Sequence, residues 1–253
     1  MSKSITLVIV DTVNHDLARF SIEKTLSTVD CRDVITFSDR LIIEGAKFIP
    51  IRKQISLYDY SEIMTKQLWT YIETDYVLTI QWDGMAVNAD LWDEDFLNYD
   101  YIGALWKWPT NNQVVGNGGF SLRSRTLIES LRDTRVQLGT PMSGQNEDVA
   151  ISAEYRNLME SKYGIKYATP NVAAKFSTEN VWAGRSFGFH GLWNLPRFLS
   201  KTEIEYVINH LPKYYWADRS KIQSLARSLS ENGYQSLAED LITNRNNNYY
   251  VSI

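Results

Sequence analysis

The sequence predicts an α/β protein in which a central, mostly parallel sheet is flanked by helices, with a helical appendage at the C-terminal end. Three observations carry that expectation. Ile5 to Val10, Val34 to Phe37 and Tyr76 to Ile80 are short, continuously apolar runs rich in β-branched residues, the pattern of strands covered on both faces. Segments with apolar residues at helical spacing lie between them, as in βαβ units. Beyond about Lys213 the chain turns polar and keeps only a helical stripe, so we divide it into an α/β domain over 1–200 and a helical hairpin over 201–253.

Taken in order, the first strand ends at Asp11-Thr12 and leads into a helix over about 16–28, with Leu17, Phe20, Ile22 and Leu26 as its apolar positions. The second strand ends at Ser38-Asp39. A second amphipathic helix, over 60–73, carries Tyr60, Ile63, Met64, Leu68, Trp69 and Ile72, and the third strand runs into Gln81-Trp82-Asp83-Gly84. Regular alternation then gives way to glycine-punctuated, aromatic segments, Tyr99 to Ala104 and Gly116 to Arg123, which read as loops and short strands around a site. Helices are expected over 125–138 and 147–163, with a loop over 139–146 between them. The appendage reads as two helices broken at Asn232-Gly233.

Composition narrows the function classes. Hydrophobic residues at 44% and charged residues at 22% belong to a folded protein. Twenty-six Lys and Arg against 30 Asp and Glu leave a net charge of −4, which argues against general binding of nucleic acid or anionic membrane. Ile5 to Val10 is too short for a membrane span or a signal-peptide core, so no transmembrane segment is expected. The single cysteine, Cys31, makes no intrachain disulfide and suits a reducing compartment, from which we expect a cytoplasmic protein. Many of the 8 Trp and 15 Tyr stand beside polar and glycine residues, a setting that suits stacking on a sugar or base as well as core filling.

In an open α/β sheet, ligands bind outside the carboxyl ends of the strands. Three such ends are polar here: Asp11-Thr12, Ser38-Asp39 and Gln81-Trp82-Asp83. Asp, Ser and Thr after a strand are also ordinary caps of the next turn or helix. Asp83 differs because it follows a wholly apolar strand and precedes Gly84, presenting a carboxylate where backbone can approach closely. A hard cation such as Mn²⁺ or Mg²⁺ prefers such oxygen ligands. Gly116-Asn117-Gly118-Gly119 is either a tight turn or a backbone that something approaches closely. Glu147 and Asp148 stand at an expected helix start, where the macrodipole favours them as caps and where the same geometry can aim a general base into a cleft. His190, with Gly188 and Gly191 around it, is an imidazole open to close approach by a ligand, whereas His15 and His210 read as structural.

An aspartate after a buried strand, a glycine loop, an acidic pair opening a helix and a late histidine, in that order, resemble the metal-dependent GT-A nucleotide-sugar glycosyltransferases. The strings YVLTIQWDGMAVN, YDYIGALW, VGNGGFSLRS, NEDVAIS and SFGFHG look like a family of bacterial and phage glycosyltransferases, over residues from about 5 to 195. The resemblance implies a GT-A type, Rossmann-like catalytic domain. It also implies transfer of a hexose from a UDP-sugar donor, UDP-glucose as the first guess, to an acceptor hydroxyl with inversion.

By the same resemblance, Asp83 stands at the metal-binding carboxylate of the Asp-X-Asp motif, with Gln81 in place of its first acid, and His190 stands at the late metal ligand for Mn²⁺ or Mg²⁺. Asp148 is the implied base, and Glu147 orients the sugar or is the alternative base. Gln81, Trp82, Gly118 and Gly119 border the donor, Asp11, Thr12, Ser38 and Asp39 line the nucleoside pocket, and Lys66 reaches a phosphate. Trp106, Lys107, Trp108 and Trp193 are candidate contacts for the acceptor, which the sequence does not identify: a polysaccharide, a lipid-linked glycan, a protein or a modified base. The missing first acid at Gln81 supports an alternative, a non-catalytic carbohydrate- or nucleotide-binding module on the same fold. A metal phosphohydrolase acting on nucleotide diphosphates is a further alternative.

Overall fold

The computed structural model describes residues 3–53, 55–108, 113–140 and 145–250, so residues 141–144 of the loop expected over 139–146 lie outside the described residues. Strand β1 (Ile5–Val10), helix α1 (His15–Leu26) and strand β2 (Asp33–Ser38) form the first parallel unit, and a short strand β3 (Lys47–Pro50) adds to β2 at the sheet edge. Helix α2 (Leu57–Glu62) opens on Ser56, whose hydroxyl accepts the Asp59 N–H while the Asp59 carboxylate accepts the Ser56 N–H. It continues as a π turn over Ile63–Gln67 and a 3₁₀ turn over Leu68–Tyr71 before β4 (Tyr76–Ile80), which lies parallel to β1 on the side away from β2. The strand order thus reverses around β1. As these strands run parallel, Asp11, Ser38-Asp39 and Gln81 to Asp83 all emerge at one edge of the sheet, where a ligand of such a fold binds.

The second half of this unit contains β5 (Gly84–Ala86), β6 (Tyr101–Ile102), β7 (Phe120–Ser124), α3 (Arg125–Ser130), α4 (Glu147–Val149), α5 (Arg156–Tyr163), α6 (Pro170–Phe176), β8 (Ser177–Thr178) and β9 (Gly188–His190). β7 joins β4 and β6 joins β7, both antiparallel, giving a six-stranded sheet of order β3-β2-β1-β4-β7-β6; β5, β9 and β8 form a small second sheet.

The alternation of side chains along each strand builds two cores. Ile5, Leu7 and Ile9, with Leu78 and Ile80, face Ala18 and Ile22 of α1 and Phe176 of α6. Val8 and Val10, with Phe37 and Val77, face Ile63, Met64 and Leu68. Each such side chain taken fully out of water contributes about 1.5–3 kcal/mol.

Two expected helices are shorter than their sequence pattern. The one over 125–138 stops at Ser130, because the Asp133 carboxylate accepts the Arg135 N–H and is also held by Lys162 and Tyr163, which bends the chain there. The one over 147–163 is split by a π turn over Ala150–Glu154 and a break at Tyr155, whose hydroxyl donates to the Gln137 carbonyl.

By its contacts the chain forms two units, residues 1–190 and 191–253. The second is helical: α7 (Leu195–Phe198), α8 (Lys201–Asn209), α9 (Lys213–Ala217), α10 (Arg219–Glu231) and α11 (Gln235–Tyr250). Asp218 caps α10 by accepting the Ser220 and Lys221 N–H groups, and the helix buries Ile222, Leu225 and Leu229. Gly233, at φ +85°, turns the chain into α11, and the Tyr234 N–H returns to the Leu229 carbonyl. Among the described residues, no helix is long and apolar enough to cross a membrane.

Candidate active site

β4 passes through Gln81, Trp82 and Asp83 into β5, and β5 pairs with β9 so that Gly84 lies opposite His190. That register brings the imidazole beside the carboxylate preceding β5. His190 Nε2 is 3.4 Å from Asp83 Oδ1 and 3.1 Å from Gln81 Oε1. On the other side of the ring, Nδ1 lies 3.2 Å from Glu179 Oε1 and 3.1 Å from Asn117 Nδ2. A Cβ at Gly119 would collide with this ring, so the loop is glycine here because the imidazole lies against its backbone.

The His190 pKa is pushed up to about 10: burial opposes the imidazolium, and Asp83 and Glu179, flanking it on both sides, outweigh burial. In a neutral ring whose Nδ1–H donates to Glu179, three electron-pair donors face one another across Nε2, Oε1 and Oδ1, an arrangement that needs a cation or a proton between them. Donors on adjacent octahedral positions around Mg²⁺ or Mn²⁺ are roughly 3 Å apart, given metal–ligand distances of about 2.1 Å. The observed 3.1 and 3.4 Å separations fit that spacing. Among the described residues, no three His, Cys, Asp or Glu side chains are arranged to hold an ion by themselves. An ion at Asp83, Gln81 and His190 would therefore keep positions for outside oxygens, as sites shared with phosphates do.

Beyond the Gly118-Gly119 stretch, α4 presents Glu147 and Asp148, whose surroundings differ. Asp148 accepts the N–H of Gly118 at 3.0 Å and of Val149 at 2.7 Å. Burial, with Glu147 alongside, pushes its pKa up to about 7 against those two bonds. Glu147 is buried and pairs at 2.8 Å with Nη2 of Arg123, a fully buried residue of β7 whose Nε donates to the Ser121 hydroxyl. A Cβ at Gly118 would collide with the Glu147 carboxylate.

Gln81, Asn117, Gly119, Asp148 and His190 line one cleft of about 330 Å³, together with Tyr60, Trp106 and Trp108. The Trp106 ring lies over Gly116, and the Trp108 ring lies 4.7 Å from it. Of the residues expected from the sequence, Gln81, Trp106, Trp108, Gly119, Glu147, Asp148 and His190 line this cleft, with Asp83 beside His190. At the neighbouring strand ends, Asp11 is buried and accepts the Val13 and Asn14 N–H groups, so it caps the turn into α1 while staying within electrostatic reach of Asp83. Asp39 pairs with His15 at 2.7 Å, Thr12 and Ser38 are buried, and Trp82 is half-buried against the core.

Three expectations need correction. Lys66 does not reach this cleft with a free charge: its Nζ donates to the carbonyls of Leu131 and Asp133, where the end of α3 favours a cation. Glu147 is committed to Arg123, which removes it as an alternative base. Lys107 is exposed and is not among the residues that line the cleft. Trp193 lies in a 3₁₀ turn, Leu192–Asn194, of the 191–253 unit.

Sequence reasoning missed Arg123, Glu179 and Tyr60. An arginine inside the buried run Phe120–Ser124 was the available signal for the first, since a charge in a covered strand requires a partner. Glu179 has no local signature, because only the fold sets it against His190.

A family described as "Protein of unknown function (DUF5672)" matches residues 46–190 of the chain. No curated protein matches it. Among solved structures, the chain is similar to glucosyl-3-phosphoglycerate synthase from Mycobacterium tuberculosis in complex with Mn²⁺, UDP and phosphoglyceric acid, at 14% identity and TM-score 0.35. That likeness covers 50% of this chain and 57% of the synthase, so the chain spans a little over half the length of that enzyme. It is also similar to a glycosyltransferase involved in the glycosylation of the major capsid of PBCV-1, at 13% identity and TM-score 0.44, over 80% of this chain and 98% of that one.

Proposed function

The chain belongs to the DUF5672 family, and from its site we propose that it is a metal-dependent glycosyltransferase. In this reading it moves a hexose, glucose as first candidate, from a UDP-sugar to an acceptor hydroxyl with inversion at the anomeric carbon. One observation carries the reading: two separate chemistries stand in and beside one cleft. Asp83, Gln81 and His190 offer a donor set suited to a hard cation, and Asp148, beyond Gly118, is a carboxylate of raised pKa.

Asp83 and His190 would hold Mn²⁺ or Mg²⁺ directly, with the Gln81 amide adding an oxygen but no charge. Bound there, the ion would offset negative charge on the leaving diphosphate. Glu179 holds the imidazole at Nδ1, with Nε2 turned toward Gln81 and Asp83, where the ion would sit. Asp148, once ionised, takes the proton of the acceptor hydroxyl as that oxygen attacks the anomeric carbon, and its raised pKa makes it a stronger base near neutral pH. Glu147, neutralised by Arg123, positions α4. The β1 and β2 ends, with Asp11, Thr12, Ser38 and Asp39, take the nucleoside, and Gln81, Trp82, Gly118 and Gly119 border the diphosphate and sugar. The lone cysteine suits action in a reducing cytoplasm.

The test is incubation with a panel of UDP-sugars and Mn²⁺, with products identified by mass. UDP with free sugar or a glycosylated acceptor supports transfer, whereas UMP with a sugar phosphate would overturn it in favour of a phosphohydrolase. A binding module without turnover has Gln81, standing where an acid is expected, in its favour; it predicts UDP binding and no product from any donor.

A further inference from the structure

Resting on the transferase reading, we propose that the acceptor is a neutral sugar residue stacked on Trp108, and that phosphorylated sugars and uronic acids are rejected. The aromatic pair supplies the attraction. Trp106 is 7% exposed and anchored over Gly116, and Trp108, 56% exposed, lies at 4.7 Å and 33° from it. An exposed indole held in this way is a preformed apolar face, and it lines the same cleft as Asp148, the base that the acceptor hydroxyl must reach.

Charge supplies the rejection. Asp83, Glu147, Asp148 and Glu179 gather in and beside the cleft; of the basic side chains among them, Arg123 is already paired with Glu147, and the His190 ring lies between Asp83 and Glu179. Lys107, between the two tryptophans in sequence, is exposed and is not a lining residue. A divalent cation does not change the balance, because the donor diphosphate brings comparable negative charge with it. A phosphate or carboxylate on the acceptor would therefore lie beside like charges, whereas a neutral sugar offers hydroxyls that the carboxylates accept from.

The experiment uses whichever UDP-sugar gives Mn²⁺-dependent UDP release in water. Initial rates are then measured with a panel of neutral mono- and disaccharides and with their 6-phosphate and uronic acid counterparts. Neutral saccharides are expected to raise UDP release and to gain one hexose by mass, and the anionic counterparts to do neither. Trp108→Ala is expected to raise the KM for the neutral acceptor about tenfold, and Trp108→Tyr to restore most of it. Equal or better use of anionic acceptors, stimulation by neither class, or an unchanged KM in Trp108→Ala would each overturn the assignment while donor hydrolysis still supports the transferase. Absence of UDP release with every UDP-sugar would instead remove the transferase reading, and the acceptor proposal with it.

Discussion

Asp148 and Glu147 are neighbours in the chain, yet Glu147 faces a buried guanidinium while Asp148 faces the cleft and two backbone N–H groups. As the base, Asp148 should be indispensable to turnover: Asp148→Asn is expected to lower kcat by about 10²–10⁴, read as the initial rate of UDP release. The wild-type rate should rise with pH through about 7, as the carboxyl loses its proton.

The same shift acts on stability in the opposite sense. Between the ordinary value of 3.8 and about 7, the folded protein keeps a proton that the unfolded chain has released, so Asp148 lowers stability as pH rises across that window. Melting temperatures from pH 4 to 8 should therefore fall less steeply in Asp148→Asn than in wild type. Arg123 is a separate case. Arg123→Met leaves Glu147 buried without a partner and is expected to cost about 3–5 kcal/mol in denaturant unfolding. Adding Glu147→Gln should recover much of that loss; a double variant as unstable as Arg123→Met alone would show that the arginine acts through packing instead.

At the scale of elements, the glycine loop and the β5–β9 pair set the geometry of the site. Gly119→Ala drives a methyl group into the His190 ring. UDP binding that depends on Mn²⁺ should be lost in that variant while thermal unfolding stays cooperative. Leu7→Ala, in the middle of β1, should cost about 2–5 kcal/mol, because the strand is covered on both faces and its neighbours close such a hole only in part.

These elements also show what the sequence could reveal. β1, β2 and β4 were readable because a strand covered on both faces must be apolar throughout. β5, β8 and β9 are two or three residues long, too short for any period, and the β5–β9 pairing joins residues about a hundred apart in the chain. Asp83, Asp148 and His190 could be singled out by residue type and by the glycines near them. Their meeting could not: Asp83 and His190 meet because Gly84 lies opposite His190, and Asp148 joins them through the Gly118 N–H. Lys66 misled for a related reason: its helix was identified, but the α3 carbonyls that hold its charge become neighbours only through tertiary packing.

On the scale of the whole molecule, a chain of net charge −4 that gathers carboxylates around its cleft is a poor receptor for a nucleoside diphosphate unless a cation accompanies it. Three parallel strands deliver their polar ends to one edge, and the small sheet adds His190 to it, so the nucleotide and the ion have a common place to bind. Ligand binding to the folded state alone raises stability by about 2.7 kcal/mol at a hundredfold excess over Kd. UDP should therefore raise the melting temperature only when Mn²⁺ is present. The most direct test is calorimetric titration of UDP into wild type and Asp83→Ala, each with and without Mn²⁺. Binding by wild type that requires Mn²⁺ and is absent from Asp83→Ala is the predicted result; UDP binding that is indifferent to both the metal and Asp83 would contradict the account.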